Sequence, residues 1–164
     1  MQQMELIGVR VELPSNTPIM LLREKDETTR LLPIFIGAAE ATAISIALDD
    51  IHTPRPMTHD LLNNVVSKLS ANLERVVITE LRKRTFYAEL HLKNASGLTV
   101  ISSRPSDAVA LAIRSNAPIY ADESVINRAG YRADGTPIKD QQETAMLEEF
   151  KKFIDTVSPE DFGN

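Results

Sequence analysis

Apolar positions recur along this chain with two different periods, which distinguish its predicted strands from its predicted helices. Between Ile7 and Leu13 apolar residues alternate with polar or small ones, and this period of two indicates a strand with one buried face. Further strands are predicted at residues 19–22, 31–36, 76–78, 86–92 and 98–102. Turn-forming clusters separate them at residues 14–17, 25–28, 82–85 and 94–97.

A helical period predicts the remaining elements. The clearest stripe follows Thr58, a predicted N-cap with Asp60 in the first turn, and consists of Leu61, Leu62, Val65, Val66, Leu69 and Leu73. Helices rich in small residues are predicted at 38–48 and 107–115, and a short helix at 123–129 ends at Gly130. A polar loop over 131–140 leads to a predicted amphipathic helix at 143–157.

The order of these elements occurs twice. A buried strand runs to Gly37 and a helix carrying Glu40 follows, while a second strand leads to a helix carrying Asp107. The two acids are 67 positions apart, and the same offset carries residues 9–11 onto 76–78 without a gap. We therefore predict an internal duplication, with repeats at about 6–48 and 75–115. Two copies favour one folded unit made of similar halves over a solenoid.

These patterns predict a single α+β domain. Two duplicated strand-hairpin-strand-helix halves would build a mainly antiparallel sheet packed with helices, followed by the C-terminal helix. The domain is expected to span residues 1–130, with residues 131–164 forming a loop and a helical extension. The face of the C-terminal helix and the open sheet edges predict a homodimer, or an oligomer of dimers, with residues 143–157 at the contact.

Composition restricts the classes of function. The 164 residues contain no cysteine, which excludes disulfides, thiol nucleophiles and thiolate metal sites. With no long apolar run and no signal-peptide pattern, a cytoplasmic protein that does not enter membranes is expected. A net charge of −5 argues against binding nucleic acid through the whole surface, so any contact with DNA or RNA would come from a local patch. The absence of a Gly-rich phosphate loop argues against an ATPase or a Rossmann dehydrogenase.

Acidic residues at predicted helix starts are the first candidates for chemistry. If Gly37 and Arg104 are N-caps, Glu40 and Asp107 both occupy the third helical position. An acid is favoured there for structural reasons alone, because it meets free N–H groups and the helix dipole. A functional role requires both acids to be exposed in one cleft.

Basic residues and a histidine accompany these helix starts. Arg55, His59 and Asp60 gather at the start of the second predicted helix, where an anion such as phosphate is favoured. His59 could be a general base or a metal ligand and Asp60 a metal ligand or an orienting partner. The alternative is a capped helix with an exposed histidine.

Two further arginine-containing segments carry open alternatives. Arg104 suits bidentate phosphate recognition, but it could instead pair with a nearby acid such as Glu40. The basic run of Arg82, Lys83 and Arg84 on a hairpin tip could contact a phosphate backbone, or it could simply be solvated.

Four segments in this order resemble the bifunctional nuclease (BFN) domain family. They are residues 32–41, 55–61, 85–88 and 104–110, and the resemblance covers about residues 4–130. Prokaryotic members are similar in a helical C-terminal extension with a tail like Ser158–Phe162. The resemblance implies nuclease activity on DNA and RNA, as described for plant relatives. The positions it marks are Glu40, Arg55, His59, Asp60, Arg104 and Asp107.

The leading hypothesis is therefore a metal-assisted phosphodiester hydrolase. Asp60 and Asp107, with Glu40 as a further candidate, would hold Mg²⁺ or Mn²⁺ through oxygen ligands. His59 would activate water or hold a metal, and Arg55 and Arg104 would neutralise the phosphate. The alternative is a non-catalytic module that binds an anion, a small ligand or another protein.

Overall fold

Eight strands form one mixed sheet in the computed structural model, which describes residues 1–25 and 30–138. The strands are β1 (Gln2–Glu12), β2 (Thr17–Glu24), β3 (Arg30–Phe35), β4 (Asn72–Arg82), β5 (Thr85–Asn94), β6 (Gly97–Ser103), β7 (Ile119–Ala121) and β8 (Tyr131–Arg132). The helices in this part of the chain are α1 (Ala38–Leu48), α2 (Thr58–Lys68), α3 (Pro105–Ser115) and α4 (Glu123–Ala129). The predicted α+β class is confirmed.

The sheet brings the two halves of the chain side by side. Its strand order is β6-β5-β4-β7-β1-β2-β3-β8, and its pairs are antiparallel except for β4 with β7. Each half contributes three consecutive antiparallel strands and then a helix, α1 in the first and α3 in the second. This order agrees with the predicted halves, and their origin by duplication stays a prediction.

The helix starts follow local signals in the sequence. Gly37 and Arg104 are the N-caps of α1 and α3, as predicted, and Pro105 takes the first helical position, where its missing N–H is tolerated. The prediction of Thr58 as the N-cap of α2 is wrong by one residue, because Met57 occupies that position. The backbone N–H of Met57 donates to the carboxylate of Asp60 at 2.8 Å, so the acid closes this helix start.

The hairpin between β4 and β5 turns within two residues. Lys83 and Arg84 both adopt positive φ angles, 49° and 65°, while Arg82 pairs with Thr85. Left-handed residues at both central positions match the twist of the flanking strands. The predicted turn at residues 82–85 is confirmed, and it places Arg84 at the tip.

One hydrophobic core joins both halves. Met20, Leu22 and Leu32 of the first half belong to the same buried cluster as Val76 and Ile78 of the second. Helix α3 lies deepest in this cluster, since its residues from Ala108 to Ala112 are all buried. Alternating small side chains let this helix approach the sheet closely, and its two ends therefore have fixed positions.

Two predictions about exposure and local structure differ from the structure, and a third is not tested by it. Val11 and Leu13, predicted on a buried strand face, are exposed, and Leu13 lies beyond the end of β1. Tyr131 and Arg132, predicted in a loop, form β8 against β3. The predicted helix at residues 143–157 lies outside the described residues.

Helix α2 is present but ends at Lys68, so Leu73 of the predicted stripe lies in β4, where it is buried, while the stripe along the helix itself is not buried. Leu61, Val65 and Leu69 are 54%, 44% and 72% exposed, and α2 contains no buried residue. Periodicity identified the helix correctly, while the degree of burial depends on neighbours that the period does not reveal. Across the described parts of the chain, no helix has the length and apolar character needed to cross a membrane.

A buried carboxylate ties the edge of the first half to α4. Glu24 is 2% exposed, and it accepts a hydrogen bond at Oε2 from Arg30 Nε at 2.7 Å. Arg30 also donates to Glu123 in the first turn of α4. The buried negative charge is thus compensated by a single arginine that bridges two elements.

Replacing this arginine should therefore destabilise the fold strongly. In Arg30→Met the carboxylate of Glu24 stays buried without its partner, and we expect a loss of about 3–5 kcal/mol in the free energy of unfolding. Arg23→Met is the matched control, because Arg23 pairs with Glu5 at the surface and its loss is expected to be about 0–1 kcal/mol. Urea unfolding at neutral pH measures both, and equal losses would contradict the assignment.

Candidate functional site

A chain of hydrogen bonds joins four of the predicted site residues: Glu40, Arg104, Asp107 and His59. Arg104 donates to Asp107 from Nε at 2.7 Å and from Nη2 at 3.1 Å. Its Nη1 pairs with Oε1 of Glu40 at 2.8 Å. On the far side of the chain, Nε2 of His59 lies 3.1 Å from Oδ1 of Asp107. Because a carboxylate only accepts, the imidazole nitrogen is the donor.

Helix starts bring these side chains together. Glu40 and Asp107 occupy the third positions of α1 and α3, and His59 the second position of α2. Three helix N-termini therefore contribute to one hydrogen-bonded chain. The alternative that Arg104 pairs with Glu40 is confirmed, and Arg104 also holds Asp107.

The ionised form of Asp107 is stabilised by its partners. Partial burial alone would raise the pKa of its carboxyl group, but hydrogen bonds from Arg104 and His59 outweigh that effect and hold the pKa below its usual value. In turn, the carboxylates of Asp107 and Glu40 raise the pKa of Arg104. Arg104 remains a cation whose side chain is 65% exposed, so it can contact a ligand in solution.

A groove of about 360 Å³ opens beside this chain. It is lined by Ile34, Phe35, Ile36, Gly37, Glu40, Arg84, Thr85, Phe86, Arg104, Pro105 and Ser106. These residues come from the end of β3, from the starts of α1 and α3 and from the β4–β5 hairpin. His59 and Asp107 do not line the groove, and Arg104 connects them to it.

Gly37 leaves space for the carboxylate of Glu40. A Cβ atom at position 37 would lie 2.2 Å from Oε2 of Glu40, far inside contact distance. The φ angle of Gly37 is −77°, so close approach rather than backbone conformation explains the glycine. Any larger residue would displace the acid from its present position at the groove.

Asp60 belongs to a different set of contacts. Its carboxylate accepts from Nε of Arg114 and from the backbone N–H of Met57. Partial burial would raise the pKa of Asp60, but the hydrogen bonds from Arg114 and Met57 lower it overall. Asp60 also borders a second cavity of about 690 Å³ with His52 and Asn116.

The sequence analysis did not single out Arg114 as a site residue. In the structure its side chain is only 7% exposed. It donates to Asp60 on α2, to the carbonyl oxygen of Ala43 on α1 and to that of Ala110 on α3. The available signal was a single basic residue within the small and apolar sequence of α3. Such a residue is ordinarily read as a favourable charge at a helix C-terminus.

The remaining predicted residues lie outside the hydrogen-bonded chain. Arg55 is exposed ahead of α2, and Lys83 is exposed on the hairpin. The guanidinium of Arg82 lies 4.8 Å from the ring centre of Tyr87, a cation–π distance. Arg84 lines the groove. Of the basic hairpin residues, Arg84 is the one that joins Arg104 there.

The predicted metal ligands Asp60 and Asp107 are engaged by other partners in this structure. Among residues 1–25 and 30–138 there is no group of three or more His, Asp or Glu side chains placed to hold a metal ion. Both oxygens of Asp107 and both of Asp60 already accept hydrogen bonds. Binding of Mg²⁺ or Mn²⁺ by these two acids stays a prediction, and it would require these contacts to rearrange.

Comparison with known proteins shows which family and which relatives this chain is similar to. The model of the bifunctional nuclease domain matches residues 20–134. An uncharacterized protein of Mycobacterium tuberculosis is 40% identical, with the match covering 99% of this chain and 98% of that protein. Bifunctional nuclease 1 of Arabidopsis thaliana and bifunctional nuclease 2 of Oryza sativa are each 27% identical, over 70% and 71% of this chain. The chain spans 36% and 37% of those plant proteins.

The lowered pKa of Asp107 has a consequence for stability. Its contribution is present above the unfolded pKa of about 3.9 and is lost as the pH falls through the lower folded value. We therefore expect Asp107→Asn to reduce the free energy of unfolding most near neutral pH, with the difference closing in strong acid. Urea unfolding across this range measures it.

Asp49→Asn is the control, because Asp49 is an exposed carboxylate outside the hydrogen-bonded chain. Its free energy of unfolding should differ less from that of the wild type. A difference for Asp107→Asn that stays constant from neutral pH into strong acid would contradict the stabilising role of the ionised carboxylate.

Proposed function

The chain belongs to the bifunctional nuclease domain family, and we propose that it is a nuclease, a phosphodiester hydrolase that acts on DNA, RNA or both. The observation that carries this proposal is the groove in which Glu40 and Arg104 lie together with Arg84. It combines an acid suited to proton transfer with two cations suited to phosphate.

The groove supplies the local patch that an acidic protein needs to bind nucleic acid. Arg84 and Arg104 attract a phosphate, and the free N–H groups at the starts of α1 and α3 add positive potential. Phe35 and Phe86 line the same groove and offer apolar surface to a sugar or base. Lys83 is exposed beside Arg84 and would contact a neighbouring phosphate, while Arg55 is exposed ahead of α2 and is assigned no contact at this groove.

In the proposed reaction Glu40 acts as the general base. It accepts a proton from a water molecule whose oxygen attacks phosphorus, the ester P–O bond breaks, and the leaving oxygen takes a proton from solvent. Arg104 neutralises the negative charge that develops on the phosphate. Asp107 and His59 are positioning residues that do not line the groove, since Asp107 holds the guanidinium of Arg104 and His59 holds Asp107.

This proposal gives His59 and Asp60 different roles from those in the sequence hypothesis. His59 and Asp60 were candidates for direct chemistry, and the proposal gives His59 a role behind Arg104. Asp60 closes the start of α2 and pairs with Arg114. No step is assigned to Mg²⁺ or Mn²⁺, because the donor set described above does not present a ligand group for either ion.

A non-catalytic binding module is the second candidate. It is favoured by the engagement of both Asp107 oxygens, which leaves Arg104 held as a fixed cation at an open groove. Such a module would bind a phosphorylated ligand, and its thermal unfolding midpoint would rise with ligand concentration without turnover.

A nuclease assay on single-stranded and double-stranded DNA and on RNA tests the proposal. We expect the full-length chain to cleave at least one of them, and Glu40→Gln and Arg104→Met each to lower the rate about 100-fold or more. Arg23→Met, a surface arginine outside the groove, should keep the wild-type rate. Absence of cleavage with any substrate, or equal rates in all variants, would overturn the catalytic proposal.

The same assay also measures whether cleavage depends on a metal ion. Reactions with Mg²⁺, with Mn²⁺ and with excess chelator separate a metal-assisted hydrolase from the proposed metal-independent step. We expect the chelator to leave cleavage unchanged. Cleavage that requires a metal and disappears in Asp60→Asn and Asp107→Asn would instead support the sequence hypothesis.

A further inference from the structure

Among the residues that the structure describes, strand β6 has one edge with no partner strand. In the sheet of the described residues it is the terminal strand and pairs only with β5. Its seven residues, from Gly97 to Ser103, carry no charged side chain and no proline. The first six are exposed, among them Leu98, Val100 and Ile101. Natural sheet edges are usually protected by lysine, proline or a bulge, and this one has none of these.

We propose that β6 pairs with β6 of a second copy of this chain, in an antiparallel and two-fold symmetric manner. When the same edge strand of two copies pairs in this way, the assembly closes as a dimer, since both copies use the same surface. The central residue of β6 is Val100. In the symmetric register it lies opposite the partner's Val100, and Thr99 lies opposite the partner's Ile101.

Apolar rows continue across this contact. Thr99 and Ile101 stand beside Leu92 and Leu90 of β5, on the face of the sheet that packs on the core. Pairing about Val100 therefore extends the row from Leu90 through Ile101 to the partner's Thr99 and Leu92. The proposed contact continues an apolar surface that each copy already has.

Charges on the opposite face are complementary in the same register. Leu98 stands beside Lys93, and Ser102 stands beside Glu89. Because Leu98 faces the partner's Ser102, the row that starts at Lys93 ends at the partner's Glu89. The two charges have opposite signs, but they are about 14 Å apart and each already pairs within its own chain, Lys93 with Glu74 and Glu89 with His91, so they add little attraction. A parallel arrangement in register would instead place each charge in a row with its own copy.

The chain offers a clean background for a cross-linking test, because it contains no cysteine. In Val100→Cys the two cysteines would lie directly opposite each other, with Cα atoms about 4.5–5.5 Å apart, within the range that a disulfide spans. In the matched control Leu98→Cys each thiol is two residues from the axis, so the two are about 13–14 Å apart and cannot join. We expect mild oxidation of the full-length protein to give a covalent dimer for Val100→Cys alone.

A charge variant tests the same contact without oxidation. Val100→Lys places two like charges opposite each other at the axis, and light scattering should show a shift from dimer to monomer. Leu61→Lys, an exposed apolar position on α2, is the control and should remain dimeric. Circular dichroism of Val100→Lys verifies folding, which the exposed position permits.

Three results would overturn the proposal. The first is a full-length protein that is monomeric at high micromolar concentration. The second is equal cross-linking of Leu98→Cys and Val100→Cys, which excludes the symmetric register. The third is a dimer that survives Val100→Lys and is lost on deletion of residues 141–164, which assigns the contact to the C-terminal segment.

Discussion

The buried guanidinium of Arg114 is the constraint on which the arrangement of the helices depends. A charge removed from water is tolerated only when its donors find acceptors, and the acceptors of Arg114 are distributed over α1, α2 and α3. Shifting any one of these helices leaves a buried donor without a partner. Because all three helices begin near the hydrogen-bonded chain from Glu40 to His59, one buried cation at the far end of α3 also fixes that chain.

The core and the groove are two consequences of the same packing. Small residues in α3 let this helix lie deep in the core shared by both halves. Its first residues then emerge beside α1 and the β4–β5 hairpin, where Arg104 can reach Glu40 and the groove. In a protein with a net charge of −5, two arginines, Arg84 and Arg104, thus line one groove.

Local signals predicted much of this structure, and contacts distant in sequence account for what was missed. The bounds of α1, the N-caps Gly37 and Arg104 and the hairpin at residues 82–85 depend on neighbouring residues, and the sequence indicated each correctly. Strand β8 is two residues long and exists because β3 offers an edge, which no period reveals. Arg114 has the same explanation, because its acceptors on α1 and α2 come from distant parts of the chain. The pairing of Arg104 with Glu40 was one of two alternatives that the sequence left open, and the contact itself joins residues distant in the chain.

Helix α2 has no buried residue, yet it carries His59 and Asp60. A segment with so little buried apolar surface opens at a much lower free energy than the core, so its amides should exchange with solvent far faster than those of α3. Each such opening would break the hydrogen bond from His59 to Asp107 and the pair between Asp60 and Arg114, while the sheet and the other helices remain folded. The link from His59 to Asp107 would then form and break in repeated sub-global unfolding events, and the fraction of molecules with the whole hydrogen-bonded chain would change with temperature well below the global transition.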